Sequence, residues 1–272
     1  MKKAYEDLTF ADNFMFCKIM STDSGICKGL LELLLDVKLR EIVYSQKQKE
    51  IEITYDGKGV RLDAYVEDAN STVYDIEMQK VDTNELPKRS RYYQGMIDLD
   101  LIERGALYND LKKSYVIFVC LTDPFDRGLP IYTFKNKCIQ AGDLILNDET
   151  VKIFVNASSE SPNITPDIRN FFDYLKYNEV KDEFTRRISE SVTKAIEHKK
   201  WRIEYMTYTA FYHDAIVEGR AEGRAEGRIL EYISIRREEG MSDEAIISSL
   251  KTRFNISEEE AVAAIKGYED EA

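Results

Sequence analysis

Residues 60–80, VRLDAYVEDANSTVYDIEMQK, contain two runs in which apolar and polar side chains alternate. Period-two alternation in segments rich in Val, Ile and Tyr predicts two β-strands. Between the two runs lie residues 68–71, with the sequence DANS, whose side chains are typical of a hairpin loop. The stretch therefore predicts an antiparallel hairpin centred near Asn70.

This register places two carboxylates together. Asp63 lies opposite Glu77, with roughly 5 Å between the side chains, and Gln79 projects from the same face. Two carboxylates at this separation repel each other, and one takes up a proton unless a cation lies between them. Carboxylate oxygens are the ligands that hard divalent cations prefer, so the hairpin predicts a metal site. The alternative is an ordinary hairpin with charges on its solvated face, and spacing alone leaves it open.

The hairpin and its neighbours resemble the PD-(D/E)XK nuclease family transposases, the recombination-promoting nucleases. The resemblance extends over roughly residues 8–155. Its segments, in the family's order, are ADNFMFCKIM, GKGVRLDAYVED, YDIEMQ, LPKRSRYYQGMIDLDLIERGALYNDL and YVIFVCLTDPFDRGLPIYTF. It implies Asp63 and Glu77 as the metal-binding acidic residues, and Gln79 in place of the superfamily's Lys. It also implies DNA as the substrate and Mg²⁺ or Mn²⁺ as the cofactor.

Gln79 is a departure from the superfamily consensus, although Gln is common at this position in the family. The amide carries no positive charge and cannot accept a proton as a neutral Lys can. We expect Gln79 to orient the attacking water or the phosphate, with a carbonyl of Met78 as a further metal ligand. The general base is left unassigned.

Residues 87–103 read as a helix that begins at Pro87 and stops before Gly105. On it Arg89 shares a face with Tyr92 and Tyr93. The resemblance favours Arg89 and Tyr93 as substrate-binding residues, with Arg89 holding phosphate and the tyrosine stacking on a base. The alternative is that the tyrosines belong to the core and Arg89 extends along them to solvent.

The fold class that the resemblance implies is α/β, a restriction-endonuclease-like αβββαβ core with a mixed sheet and a helical C-terminal extension. YVIFVCL reads as a central strand. We predict a nuclease-like core in residues 1–160, a helical layer in 161–200, a long helix in 201–239 and a small helical hairpin in 240–272.

Two further acidic residues precede the hairpin. Asp12 reads as a helix N-cap, and the resemblance also makes it a candidate extra contributor to the site. Glu32, on a dense apolar helix, reads as part of a solvated face, although some superfamily members use an acidic residue from the corresponding helix. The first strand is predicted near residues 51–55, followed by a DGKG turn.

Composition limits the chemistry. The net charge of the chain is −12, so any positively charged surface that binds DNA has to be local. A candidate for this surface is formed by Lys80, Lys88, Arg89 and Arg91. The chain has two histidines and four scattered cysteines, which argues against a zinc enzyme and a disulfide framework. No long apolar run or signal-peptide core is present, so we expect a cytoplasmic protein without membrane association.

The segment EGRAEGRAEGR, residues 218–228, repeats every four residues. In a helix it forms separate rows of Glu, Arg and Gly, in which like charges fall at i+4. A partner helix supplies the missing opposite charges, so we predict a homo-oligomer through the C-terminal helices. The alternative is a solvated arm. For the whole chain we predict a metal-dependent DNA endonuclease, with a degenerate nuclease fold that binds DNA or protein as the alternative.

Overall fold

The computed structural model describes residues 3–51, 59–81 and 83–271. It divides the chain into two compact units, residues 1–202 and 203–272. In the first unit, α1 (Asn13–Thr22) and α2 (Ser24–Leu35) precede three strands, β1 (Ile42–Ile51), β2 (Val60–Asp68) and β3 (Val73–Gln79). Next come α3 (Leu86–Leu101), β4 (Ser114–Cys120), β5 (Ile131–Phe134), β6 (Thr150–Asn156), α4 (Pro166–Tyr177) and α5 (Glu183–Glu197).

The six named strands form one mixed sheet in the order β1-β2-β3-β4-β6-β5. β1, β2 and β3 are antiparallel neighbours, whereas β3, β4 and β6 run parallel to one another. A parallel connection needs a crossover, and α3 supplies it between β3 and β4. This arrangement confirms the α/β class and the predicted αβββαβ order.

The hairpin of β2 and β3 has the predicted centre. Ala64 pairs with Ile76, and Tyr65 pairs with Asp75, which places the middle of the loop at Asn70. Asp68 closes the loop, because its carboxylate accepts the backbone N–H groups of Asn70 and Thr72 at 2.8 and 3.0 Å. Local turn chemistry therefore fixes the register of both strands.

The central strand β4 is buried on both faces, as its apolar run predicts. On one face the Phe118 ring stacks on Phe154 at 5.5 Å and lies 6.2 Å from the ring of Tyr93 on α3. The alternate residues Ile117 and Val119 are fully buried on the other face. α3 thus covers the sheet face that also carries the polar positions of the hairpin.

One expectation for the N-terminal part needs correction, and another falls mostly outside the described residues. Asp12 occupies the N-cap position of α1 but makes no side-chain capping bond. Its carboxylate instead accepts from Thr9 and forms ion pairs with Lys3 and Lys80. The strand predicted near residues 51–55 is β1, which begins at Ile42; residues 52–58, including most of the predicted turn, lie outside the described residues.

Glu32 has a structural role. It accepts the backbone N–H of Leu39 at 2.9 Å and lies 3.4 Å from the Lys38 ammonium group. These contacts tie the segment that follows α2 back onto the helix.

The long helix α6 (Lys199–Glu238) leads into α7 (Asp243–Phe254) and α8 (Glu258–Glu271). In the second unit, an apolar cluster joins α6, α7 and α8; its buried members are Ile233, Ile246, Leu250, Ala261 and Ile265. Among the described residues, no helix is both long and apolar enough to cross a membrane.

Candidate active site

Asp63 and Glu77 lie on the neighbouring strands β2 and β3, one position beyond the last ladder pair, Ala64 and Ile76. Each carboxylate binds the backbone of the opposite strand. Glu77 Oε1 accepts the N–H of Asp63 at 2.7 Å, and Asp63 Oδ2 accepts the N–H of Met78 at 3.3 Å. Side-chain bonds thus continue the strand pairing where the ladder ends. They hold two acidic groups side by side with little freedom to move apart.

Asp75 brings a third carboxyl to the same face. It is completely buried, and no donor group among the described residues hydrogen bonds to its oxygens; its side-chain hydrogen bond is with the neighbouring Glu77 carboxyl. A buried charge without donor groups is costly, so such a carboxyl is stable only in its protonated form. Sequence reasoning did not select this residue. The sequence did indicate that Asp75 shares a strand face with Glu77 and Gln79, because the three residues lie at alternate positions.

Burial raises the pKa values of all three carboxyls, and repulsion from neighbouring carboxylates adds to the shifts of Glu77 and Asp75. Burial and then repulsion from Asp63 raise the pKa of Glu77 to about 8, against the opposing effect of Arg89. The pKa of Asp75 lies well above its usual range because of burial, followed by the charges of Glu77 and Asp63. Burial also raises the pKa of Asp63, while an Asn13 hydrogen bond opposes the shift. At neutral pH the cluster therefore retains protons.

Arg89 projects from the first turn of α3 into this acidic cluster. Its guanidinium donates to Glu77 Oε2 at 2.7 Å, to Gln79 Oε1 at 3.2 Å and to the Tyr93 hydroxyl at 2.8 Å. The sequence placed Arg89, Gln79 and Tyr93 in one site, and the structure brings them together with Glu77. The planar donor set of Arg makes all three bonds at once, which a Lys ammonium on a flexible stem does not reproduce.

The two tyrosines of α3 occupy different environments. Tyr92 is 41% exposed, whereas Tyr93 is 9% exposed and packs near Phe118. Burial and the nearby Glu77 charge raise the pKa of Tyr93 to about 12, so its hydroxyl remains protonated. In this position its direct contact is with Arg89. Stacking of a base on Tyr93 stays a prediction.

Asp12 lies at the edge of the site rather than in its centre. Burial opposes ionisation of Asp12, but hydrogen bonds from Lys3 and Lys80 outweigh it and lower the pKa of Asp12 to about 2. Lys80 directly follows Gln79 and is therefore held next to the site by this ion pair. The adjacent residue Asn13 hydrogen bonds to Asp63. The start of α1 thus positions groups on both strands of the hairpin.

The donor set suits a small hard cation. Mg²⁺ typically binds one or two protein carboxylates together with water and substrate phosphate, and Asp63 and Glu77 supply two such carboxylates. Among the described residues no cluster of three or more His, Cys, Asp and Glu side chains has the arrangement of a metal site. A metal at Asp63 and Glu77 therefore needs further oxygen ligands from the backbone, water or substrate.

A family model described as PD-(D/E)XK nuclease family transposase matches residues 10–151. The match includes both strands of the hairpin, the crossover helix α3 and the central strand β4. Searches of curated proteins and of solved structures gave no match.

Proposed function

This chain belongs to the PD-(D/E)XK nuclease family transposases, and from that membership we propose that it is a metal-dependent DNA endonuclease that hydrolyses phosphodiester bonds. The observation that carries the proposal is the pair of carboxylates on β2 and β3. Asp63 and Glu77 are held by reciprocal bonds to each other's strands. Burial raises the pKa values of both carboxyls, and repulsion from Asp63 adds to the shift of Glu77; a divalent cation bound between them would favour their ionised forms.

In this proposal Asp63 and Glu77 hold Mg²⁺ or Mn²⁺, with the Met78 carbonyl as a further ligand. The bound metal polarises the scissile phosphate and lowers the pKa of the attacking water. Gln79 orients that water or the phosphate through its amide. The Arg89 guanidinium binds a phosphate oxygen, and Tyr93 holds that guanidinium through its hydroxyl.

The surface next to the site offers positive charge to the DNA backbone. Lys88 and Arg91 are exposed on α3, on either side of the half-buried Arg89 and the buried Ser90. A local group of this kind neutralises phosphates even when the net charge of the whole chain is −12. DNA is accordingly the proposed partner. We also propose a cytoplasmic location.

Cleavage of supercoiled plasmid, with and without Mg²⁺ or Mn²⁺, tests the endonuclease proposal. We expect the protein to nick or linearise the plasmid only with metal, and Asp63→Asn to lower the rate by at least about 100-fold, as expected for loss of a metal ligand. The substitution removes the charge and retains the shape. Glu67→Gln is a matched control on the same strand, because Glu67 pairs with Lys112 at 2.7 Å. Equal rates for the protein and Asp63→Asn would contradict the proposal.

A second candidate function is binding without cleavage. Two observations favour it: Gln79 replaces the consensus Lys, and Arg89 already bonds to the proposed metal ligand Glu77. A protein of this kind binds DNA or a protein partner without any need for divalent cations. Plasmid binding in EDTA, combined with no cleavage in Mg²⁺ or Mn²⁺, would favour this candidate over the endonuclease.

We also propose self-association through the EGR segment. The segment lies within α6, and its sequence puts like charges at i+4 along a helix, which an opposing helix offsets with complementary charges. A row of glycines permits close approach of the two helices. Analytical ultracentrifugation of the full chain, compared with a chain that ends before Glu218, measures this association.

A further inference from the structure

Each nitrogen of the Arg89 guanidinium group makes a hydrogen bond within the site. All three guanidinium nitrogens donate, to Tyr93, Gln79 and Glu77 respectively. The guanidinium carbon also lies 5.0 Å from the centre of the Tyr93 ring and 5.4 Å from that of Phe118. Only 28% of the side chain is exposed. Two of the three hydrogen bonds go to groups other than Glu77, so Tyr93 and Gln79 would keep the guanidinium beside the site if its bond to Glu77 were broken.

Both oxygens of Glu77 accept a hydrogen bond while Arg89 is in place, and a second cation on the outer oxygen would meet the guanidinium charge. Glu77 Oε1 accepts the N–H of Asp63 and Glu77 Oε2 accepts from Arg89. A divalent ion binds a carboxylate oxygen at about 2.0–2.1 Å. An ion on Glu77 Oε2 would then lie close to the guanidinium nitrogen, 2.7 Å from the same oxygen. Two cations at such short range inside a partly buried site repel each other strongly.

We propose that Arg89 is a resident counter-cation that competes with the divalent metal for Glu77 and leaves this carboxylate when the metal binds. The inference rests on the proposed metal-dependent function and assigns a regulatory exchange to the same site. In this exchange the divalent metal replaces the Arg89 guanidinium on the Glu77 carboxylate. The acidic cluster remains neutralised, and the freed guanidinium stays on α3 beside the site.

The alternative role for Arg89 is positioning alone. In that case Arg89 orients Glu77 and Gln79, and the metal binds with Arg89 still in contact. The two roles predict opposite changes in metal affinity when Arg89 is removed. Loss of a competitor tightens metal binding, whereas loss of a positioning group weakens it.

Isothermal titration of the full chain with Mn²⁺ and Mg²⁺, in the absence of DNA, distinguishes these roles. We expect Arg89→Met to bind the metal at least about tenfold more tightly than the unaltered chain. Arg91→Met is the matched control, because it removes the same charge from an exposed position on the same helix. We expect this control to change the affinity by less than about twofold, in line with screening of an exposed charge.

Tyr93→Phe provides a second test that retains the arginine. It removes the hydroxyl that accepts from Arg89 Nε at 2.8 Å and loosens the guanidinium without deleting it. We expect a smaller gain in metal affinity, about two- to fivefold, which corresponds to the lower part of the range for one ordinary intramolecular hydrogen bond, because the arginine and its charge remain. This variant keeps the proposal testable even if Arg89→Met does not fold.

The outcomes separate the exchange from the metal site itself. If the unaltered chain binds metal and neither variant binds it more tightly, the exchange is overturned and the metal site remains. If the unaltered chain and both variants fail to bind metal at millimolar concentration, the metal site is overturned, and the exchange with it. Tight binding by Arg89→Met, with weak or undetectable binding by the unaltered chain, supports the exchange.

Discussion

The buried carboxyl of Asp75 makes the stability of this protein dependent on pH in a defined direction. The side chain is fully buried, no donor group among the described residues hydrogen bonds to it, and burial followed by the charges of Glu77 and Asp63 raises its pKa well above 3.8. Above about pH 4 the unfolded chain has lost this proton whereas the folded chain retains it. The folded state therefore binds one more proton, and its stability falls as the pH rises toward the folded pKa.

The magnitude follows from proton linkage. One extra bound proton lowers the free energy of unfolding by about 1.4 kcal/mol per pH unit, or roughly 2.7 kcal/mol between about pH 5.5 and pH 7.5. Glu77, with its pKa raised to about 8, adds a slope of the same sign. Asp75→Asn removes the contribution of Asp75 alone. Over the range in which the folded chain keeps this proton, the difference in unfolding free energy between Asp75→Asn and the unaltered chain should widen in favour of the variant by about 1.4 kcal/mol per pH unit, or roughly 2.7 kcal/mol between about pH 5.5 and pH 7.5.

Urea unfolding followed by the fluorescence of Trp201 measures this difference. The chain has one tryptophan, and it lies in the first compact unit, which also holds Asp75. Asp143→Asn, in an exposed loop, is the control for a change of formal charge. If the unfolding free energies of Asp75→Asn and the unaltered chain run parallel over this pH range, Asp75 is ionised in the folded state and the reasoning fails.

Two other measurements test the site and the helical extension. Because the pKa of Glu77 is raised to about 8, metal binding at pH 7 should release close to one proton. Calorimetry detects this release, because the heat of metal binding then depends on the ionisation enthalpy of the buffer. Equal heats in all buffers would contradict the prediction. Full-length protein should sediment as an oligomer and the chain that ends before Glu218 as a smaller species, whereas an unchanged oligomeric state would refute association through the EGR segment.

The hairpin was predictable because its determinants are local. Alternation in residues 60–67 and 73–79 sets the strand faces, and the Asp68 loop sets the centre, so the pairing of Ala64 with Ile76 follows from a few neighbouring residues. The juxtaposition of Asp63 and Glu77 is a consequence of that register. For the same reason the apolar run of β4 indicated a strand buried on both faces.

Other features of the site could not be predicted, because they depend on contacts between residues that are far apart in the sequence. Asp12 has the residue type and position of an N-cap, yet its carboxylate bonds to Lys80, which lies 68 residues further along the chain. The parity of Asp75 was visible, but its complete burial arises from packing of the sheet and α3. Tyr92 and Tyr93 read alike in the sequence, and only the rotation of α3 on the sheet separates the exposed ring from the buried one.

The sequence predicts that two adjacent carboxylates are stabilised either by a bound proton or by a nearby cation. The structure shows both kinds of stabilisation. Arg89 bonds to Glu77 at 2.7 Å, and the raised pKa values of Glu77 and Asp75 keep protons on the cluster. Proton, guanidinium and metal therefore compete for the same carboxylate. Removal of Arg89 also raises the affinity of Glu77 for protons, because Arg89 is among the groups that lower its pKa. The gain in metal affinity of Arg89→Met should consequently be masked at acidic pH and be largest above the Glu77 pKa of the variant, which lies higher than the value of about 8 in the unaltered chain.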